Sequence, residues 1–540
     1  MDAPSGATLP GFLAALVREH GPRPLIALGE RLIDYAEAGA ASATLARGLL
    51  ASGVAKGTRV GVMFPNGPDW VVAWLAASRV GAVVVPINTF YTPRELGYVL
   101  RHADVHTLLT ASHILGQDRL ERLETCAPAL VEARGPELFL TELPCLRRVV
   151  VWGDRGGRAW AEDAAAVIAR APSVDAELLA AVEAQVAPAD PALVIYSSGS
   201  TADPKGAIHG HGALVRHVAN LNRFRDVTRE DVIYSPMPFF WVGGLVFALL
   251  SSMERGAFLL CEERFEPGAT LALLERERAT IVSGWPHYSK AMLEHPSFAT
   301  RDLSSIRSGN LYDVLPEAVR PKDPELRSNS LGMTETLGPH TIDRMDVDLP
   351  ERLRGSFGHA VPGMEHRIVD PESGEVLPAG QSGEICVRGY SLMQGLHKVR
   401  RENTFDAEGF YHTGDAGYFD GDGVLYFEAR LGELIKTAGA NVSPREVEVE
   451  LEALEEVSSA YVVGLADAVR GQNVAAALVL RPEADFDEAA CRQRLRASLS
   501  AYKVPRHFFV VEKAELPFTD SGKIDKRRLA AWLEERAGGE

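Results

Sequence analysis

The chain has 540 residues, of which 46% are hydrophobic and 24% charged. That composition requires a buried core and, at roughly 150 residues per domain, more than one domain. With 56 basic against 73 acidic side chains the net charge is −17, which argues against wholesale nucleic-acid binding but leaves room for a local cationic pocket. Leu32 to Ser52 has helical apolar spacing, Arg59 to Phe64 reads as a short strand, and Asn66-Gly67-Pro68 makes a turn. Asp69 to Val80 predicts a helix with Trp70, Ala73, Trp74 and Ala77 on one face, and Ala82 to Pro86 a buried parallel strand. This alternation implies a layered α/β domain.

Strand Ala192 to Tyr196 runs into a Ser/Gly/Thr loop, and a helix follows from about Gly212. The α/β rhythm continues to about Val387. From Gly409 to Phe427 short strands and Gly-rich turns take over, and a small unit begins near Arg430. In it Ser443 can cap a helix with Pro444 at its first position and Glu446 completing a capping box. Val447, Leu451 and Leu454 form that helix's apolar stripe. No internal repeat occurs. The five cysteines (Cys126, Cys145, Cys261, Cys386, Cys491) show no CxxC or metal-ligand spacing and fit a reducing compartment. Met1 to Pro10 lacks the pattern of a signal peptide, and no apolar run is long enough for an integral membrane segment. The expected location is therefore cytoplasmic.

The loop after Tyr196 reads Ser197-Ser198-Gly199-Ser200-Thr201, followed by Pro204-Lys205-Gly206. Small residues let backbone N–H groups approach phosphate, the hydroxyls donate to its oxygens, and Lys205 adds a cation. The spacing is not that of a P-loop. The segment resembles the phosphate-loop signature of the adenylate-forming superfamily, which includes acyl-CoA synthetases, luciferases and adenylation domains. The resemblance covers about residues 25 to 530, with its motifs in family order.

The resemblance implies an α/β fold: a large N-terminal domain of layered sheets, 1–429, and a small mobile α+β C-terminal domain, 430–540. It also implies a reaction, the ATP-dependent activation of a carboxylic acid as acyl-AMP followed by transfer to coenzyme A. Gly332-Met333-Thr334-Glu335 resembles the motif in which Thr contacts phosphate and Glu holds Mg²⁺, a hard cation suited to a carboxylate. Asp415, in Tyr411-His-Thr-Gly-Asp, and Arg430 match the groups that reach the ribose. Lys523, in Ser-Gly-Lys-Ile, matches the lysine that bridges acid and α-phosphate during adenylation. Ile435 to Pro444 resembles the thioester-forming segment, with Lys436, Ala438, Gly439 and Ala440 beside the pantetheine. In the family the small domain turns about a hinge between the two half-reactions, which keeps the intermediate from water. From Lys503 to Arg528 seven basic residues face four acidic ones, a local excess suited to CoA phosphates.

Four positions depart from the family pattern. Leu331 stands where an aromatic usually packs on adenine, and the adenine segment reads Ser308-Gly309-Asn310-Leu311. Trp241 replaces a His in Pro238-Phe-Phe-Trp-Val-Gly-Gly244, and Gly432 occupies the hinge. Phe239, Phe240, Trp241, Gly243, Trp285, Asn310, Leu331, Leu337 and His340 fall near the family's acyl-pocket positions. They predict a hydrophobic acid, whether fatty, aryl or alicyclic. Trp241 also occupies the place of the Asp that pairs with an amino acid's ammonium, which argues against an amino-acid substrate. The expected partners are small molecules (the acid, ATP and CoA) with no nucleic acid, and a homodimer is left open. Two further readings stand beside the ligase: an adenylating enzyme that loads a carrier-protein pantetheine, and a nucleotide- or acyl-binding homologue without turnover.

Overall fold

The computed structural model describes residues 7–197, 203–431, 435–442, 444–518 and 524–537. The chain divides into two compact units. The first comprises the chain to Thr89, Val99–Tyr196 and Gly206–Ala429. The second gathers Arg430 onward with Phe90–Tyr98, Ser197 and residues 203–205.

The core of the first unit is built on two largely parallel sheets. One has eight strands in the order Gly395–Leu396, Lys205–Gly210, Pro191–Ser197, Val83–Pro86, Arg59–Met63, Thr107–Ala111, Arg148–Trp152, Ala161–Asp163. The other has six, ending in an antiparallel pair, Pro24–Leu28 with Arg31–Asp34. The helix read as Leu32 to Ser52 starts only at Tyr35, because its first residues form that edge strand. Asp34 then caps the helix by accepting from the Glu37 N–H at 2.6 Å. Helix Pro68–Arg79 is buried almost all round rather than on one face: Val71, Leu75 and Ala76 are as enclosed as Trp70 and Trp74. Trp70 meets Trp74 and Phe239 at ring separations of 5.7 and 5.2 Å. Small residues at Ala73, Ala76, Ala77 and Ser78 let neighbouring elements close on it.

From Ser330 the chain becomes antiparallel. A hairpin, Ser330–Met333 with Gly338–Ile342, precedes a four-stranded sheet of Met364–Val369, Gly383–Gly389, Tyr411–Phe419 and Leu425–Arg430.

The second unit centres on a five-stranded sheet whose long pair, Val457–Asp467 and Gly471–Leu480, is joined along its whole length. Val462, Val474, Ala476 and Leu478 pack into one apolar cluster. Val463, Leu465, Ala475 and Ala477 pack into a second, which also holds Leu529 and Leu533. Consecutive apolar residues of this pair therefore bury both of its faces. Helix Pro444–Glu452 carries the predicted stripe of Val447 and Leu451, continued by Leu454, into the first of these clusters. Ser443 lies outside the described residues, and Glu446 accepts from the buried Lys503 ammonium at 2.7 Å. Among the described residues no helix is long and apolar enough to cross a membrane.

Candidate active site

The Gly332-Met-Thr-Glu motif forms the tip of the Ser330–Ile342 hairpin. Gly332 is required there, since a Cβ would stand 2.3 Å from the Gly338 carbonyl carbon of the opposing strand. Three bonds lock the tip. The Met393 N–H donates to Glu335 O at 2.7 Å, and the Thr336 hydroxyl donates to Gly338 O at 2.7 Å. The third comes from His209, whose Nε2 lies 2.8 Å from Thr334 O. The turn's main chain is therefore fixed, while the Thr334 and Glu335 side chains stay half-exposed.

His209 belongs to a group of buried imidazoles behind this turn. His340 Nδ1 is 2.8 Å from His366 Nε2, and His217 Nδ1 is 3.0 Å from the Tyr390 hydroxyl. Burial pushes His209 and His366 down to about 4, and His217 to about 3. Burial, with His366 and His217 nearby, takes His340 well below its ordinary value. All four are neutral at physiological pH. His340 and Leu337, read as acyl-pocket residues, are both fully enclosed, with His340 committed to His366. Leu331 packs with Ile368, Ile385, Val387 and Leu425, and so buries itself in core rather than standing free as a stacking surface.

Asp415 is 2% exposed, on strand Tyr411–Phe419. Glu384 Oε1 accepts from the Gly414 N–H at 3.0 Å and Thr413 donates to Ile385 O at 2.6 Å, which holds Thr413-Gly414-Asp415 against the neighbouring strand. Asn310 is braced in both directions to Gly284: its Oδ1 accepts from the Gly284 N–H and its Nδ2 donates to the Gly284 carbonyl, each at 2.9 Å. That clamp sets the backbone just before Trp285.

Trp285 is one ring of an aromatic row. Phe240 meets Trp241 at 5.1 Å, Trp241 meets Trp285 at 6.1 Å, and Trp285 meets Tyr288 at 5.5 Å. Beside Trp241, Gly243 keeps the chain slim where it faces Met237. Asn66 ties this segment down, donating to Met237 O at 2.8 Å and accepting from the Phe239 N–H at 2.9 Å.

In the second unit Lys436 to Ala440 is a tight hairpin turn joining Ile435–Thr437 to Ala440–Val442. Ala438 and Gly439 have φ of 48° and 78°, the left-handed pair of a two-residue strand turn, with Gly at the place it suits best. The Ala438 N–H donates to Arg470 O at 2.8 Å. Lys436 is exposed. Near Thr437 lies a cavity of about 440 Å³ walled by Arg470, Arg492, Arg496, Arg506, His507 and Tyr502. Ser197 and Lys205 flank the phosphate loop and are half-buried. Ser198, Gly199, Ser200, Thr201, Gly432 and Lys523, and the side chain of Arg430, lie outside the described residues.

Sequence reasoning did not single out His209, Asn66, Glu384 or the arginines outside Lys503–Arg528. The partners of His209, Asn66 and Glu384 lie 125, 173 and 30 residues away, and no local spacing marks those three; the arginines of the cavity come from three segments that meet only in the fold.

Taken together, the fold and the site are those of an adenylate-forming enzyme. Residues 13–397 match the model of the AMP-binding enzyme family and residues 446–523 that of the AMP-binding enzyme C-terminal domain, so the chain belongs to the AMP-binding enzyme family. It is 32% identical, over 97% of its length and 98% of the relative's, to 3-[(3aS,4S,7aS)-7a-methyl-1,5-dioxo-octahydro-1H-inden-4-yl]propanoyl:CoA ligase of Mycobacterium tuberculosis. It is 30% identical to 4-coumarate–CoA ligase 4 of Arabidopsis thaliana, covering 93% of this chain and 87% of that one. Among solved structures it matches an amide bond synthetase from Marinactinospora thermotolerans with a TM-score of 0.77 and 26% identity, over 96% of this chain and 99% of the other.

Proposed function

We propose that the chain is an acid–CoA ligase acting on a ring-bearing hydrophobic carboxylic acid. In the first half-reaction a carboxylate oxygen attacks the α-phosphorus of ATP, the bond to the β-phosphate oxygen breaks, and pyrophosphate leaves with acyl-AMP formed. In the second the CoA sulfur attacks the acyl carbon, AMP leaves, and the thiol proton passes to solvent.

The pinned Thr334-Glu335 turn supports the first step. A group that must meet developing charge gains from being held before the reaction begins. Thr334 would donate to phosphate. Glu335, a half-exposed carboxylate, suits Mg²⁺, which is commonly bound through one or two carboxylates plus phosphates and water. When bound, the ion offsets charge on the phosphates. Asp415, buried on a braced strand, would accept from the ribose hydroxyls. Lys523 would bridge acid and α-phosphate, and Lys205 would hold the departing phosphates.

The observation that carries the choice of acceptor is the arginine cavity beside Thr437, on the same sheet as the Lys436–Ala440 turn. Free CoA brings a 3′-phosphate and a diphosphate, whereas a carrier-protein pantetheine brings a single phosphodiester. Four arginines match the larger charge. The aromatic row of Phe240, Trp241, Trp285 and Tyr288 supports a flat or ring-bearing acyl group, because rings gain from stacking and edge contacts that a flexible chain does not make.

The test is pyrophosphate release with ATP, Mg²⁺ and a panel of linear, aryl and alicyclic acids, each with CoA, with pantetheine or with an amine. Acid-dependent release with a thioester formed from CoA and not from pantetheine is the expected result. Release followed by an amide or by carrier loading would replace the acceptor and keep the adenylation. No release with any acid would leave the non-catalytic reading.

A further inference from the structure

We infer that Glu384, Cys386 and His412 form a binding site for a thiophilic divalent cation, Zn²⁺ being the biological representative, on the sheet that carries Asp415. Nothing in the cysteine spacing of the chain announces it, because the three residues are assembled by strand pairing. Glu384 and Cys386 are two apart on one strand and so project from the same face. His412 sits directly opposite Cys386 on the next antiparallel strand, which puts its imidazole on that face too.

One donor atom from each of the three lies within 4.8 Å of the others. Cys386 Sγ and His412 Nδ1 are 3.5 Å apart. Two ligands on a tetrahedral Zn²⁺, with bonds of ~2.3 Å to sulfur and ~2.0–2.1 Å to nitrogen, stand about 3.5 Å apart. That pair is already at coordinating separation. His412 Nδ1 and Glu384 Oε2 are 2.7 Å apart in a hydrogen bond, and they must open to about 3.4 Å to share a metal. The His412 side chain is 43% exposed and can make that small rotation into solvent.

The surroundings fit a cation. Glu384, Asp406 and Glu408 bring three carboxylates. Arg367, paired to Asp406 and Glu408, stands opposite Cys386 on the adjoining strand and hydrogen-bonds its thiol, a contact the cation replaces. Arg388 is taken up by Glu365 and the Glu408 carbonyl. Asp406 Oδ2 lies 3.8 Å from His412 Nε2, the ring nitrogen that does not face Cys386. In the metal-free protein the 2.7 Å contact to Glu384 keeps the proton on Nδ1; once Nδ1 binds the metal the ring proton sits on Nε2, on the side where Asp406 lies. As the metal–sulfur bond forms, the Cys386 thiol proton leaves to solvent. The His412 proton moves from Nδ1 to Nε2, and the Glu384–His412 hydrogen bond is given up. Glu384 Oε1 keeps its bond to the Gly414 N–H, so the cation is one residue away from the backbone of Asp415.

The experiment uses the full-length protein freed of metal, titrated with Zn²⁺ alone against a chromophoric chelator and, separately, with Co²⁺ to read the thiolate-to-metal absorption band. One equivalent bound with that band is expected, and Cys386→Ser should abolish the band. His412→Gln, a surface change that leaves the strands intact, should weaken Zn²⁺ binding at least ~10-fold, the loss of one protein ligand of three. Cys126→Ser, outside the cluster, should change neither readout. Binding of Zn²⁺ and the Co²⁺ band unaltered in His412→Gln, or no thiolate band in the unsubstituted protein, would overturn the assignment. Thermal unfolding without metal separates a loss of ligand from a loss of fold.

Discussion

The two halves of the machinery handle charge in opposite ways. Around Thr334 and Asp415 polar groups are buried, neutral where they can be, and the main chain is held by named hydrogen bonds. His209 holds Thr334, Glu384 holds Gly414, and Asn310 holds Gly284. In the C-terminal unit the arginines stand around an open cavity of about 440 Å³. The first arrangement fixes distances, as a reaction at phosphorus requires. The second sets up a field, which suits the capture of a multiply charged, flexible carrier arriving from solvent.

The largest effect expected from breaking this comparison lies in the lysine of the last motif. Lys523→Ala should lower acid-dependent pyrophosphate release by ~10²–10³-fold, the usual cost of removing one electrostatic donor from a transition state. Thioester formation from supplied acyl-adenylate should stay within a few-fold. Equal loss in both assays would remove the role assigned to Lys523.

Acid comes next. His209, His217 and His366 are held neutral by burial, with pKa values of about 4, 3 and 4 against the ordinary 6.5. The unfolded chain takes up their protons first, so stability is complete above pH 6.5 and falls as pH drops from there toward 4. Each tenfold weakening of an imidazole's hold on its proton is worth ~1.4 kcal/mol. Unfolding midpoints in denaturant should decline steadily over that window, and His366→Gln should flatten the slope. A flat profile from pH 7 to 4 would show that these imidazoles are not buried neutral.

Gly439→Trp strains a backbone with φ of 78° and fills the turn. It should slow CoA transfer by tens of fold, on the order of the ~2 kcal/mol stored at such a position, with adenylate formation unaffected. His209→Leu leaves the Thr334 carbonyl without its imidazole partner and should cost ~1–2 kcal/mol, about 10-fold in kcat/KM for ATP. His209→Gln should recover part of it. A loss of CoA affinity with ATP kinetics intact would contradict the brace.

The smallest effect is the most diagnostic of the field. Arg506→Gln should raise the KM for CoA by ~3–10-fold, as expected when a single charge-assisted hydrogen bond is removed, and added salt should raise it further. The KM values for ATP and acid should not move with it.

How far the sequence can be read depends on the range of the interactions. The strand into the phosphate loop, the buried strand at Val83–Pro86 and the apolar stripe of helix Pro444–Glu452 are local patterns, and each appears where the periodicity puts it. The helix that begins at Tyr35 starts later than its spacing implies because Leu32 and Ile33 carry apolar side chains that suit a strand as well as a helix. The hairpin with Pro24–Leu28 decides between them. Trp70 and Trp74 are visible as a stripe, but the enclosure of the whole helix depends on the sheets around it.

By itself, the order of motifs in the sequence determined the family and the reaction class, since each motif is a short run whose resemblance to the family's is legible without the fold. Only the tertiary structure decided that His209 braces Thr334, that Asn66 anchors Phe239, that four arginines from three segments wall one cavity, and that Glu384, Cys386 and His412 share a face. Those pairings are set by strand order and register between segments far apart in the chain, where one residue's identity carries no local sign of its partner.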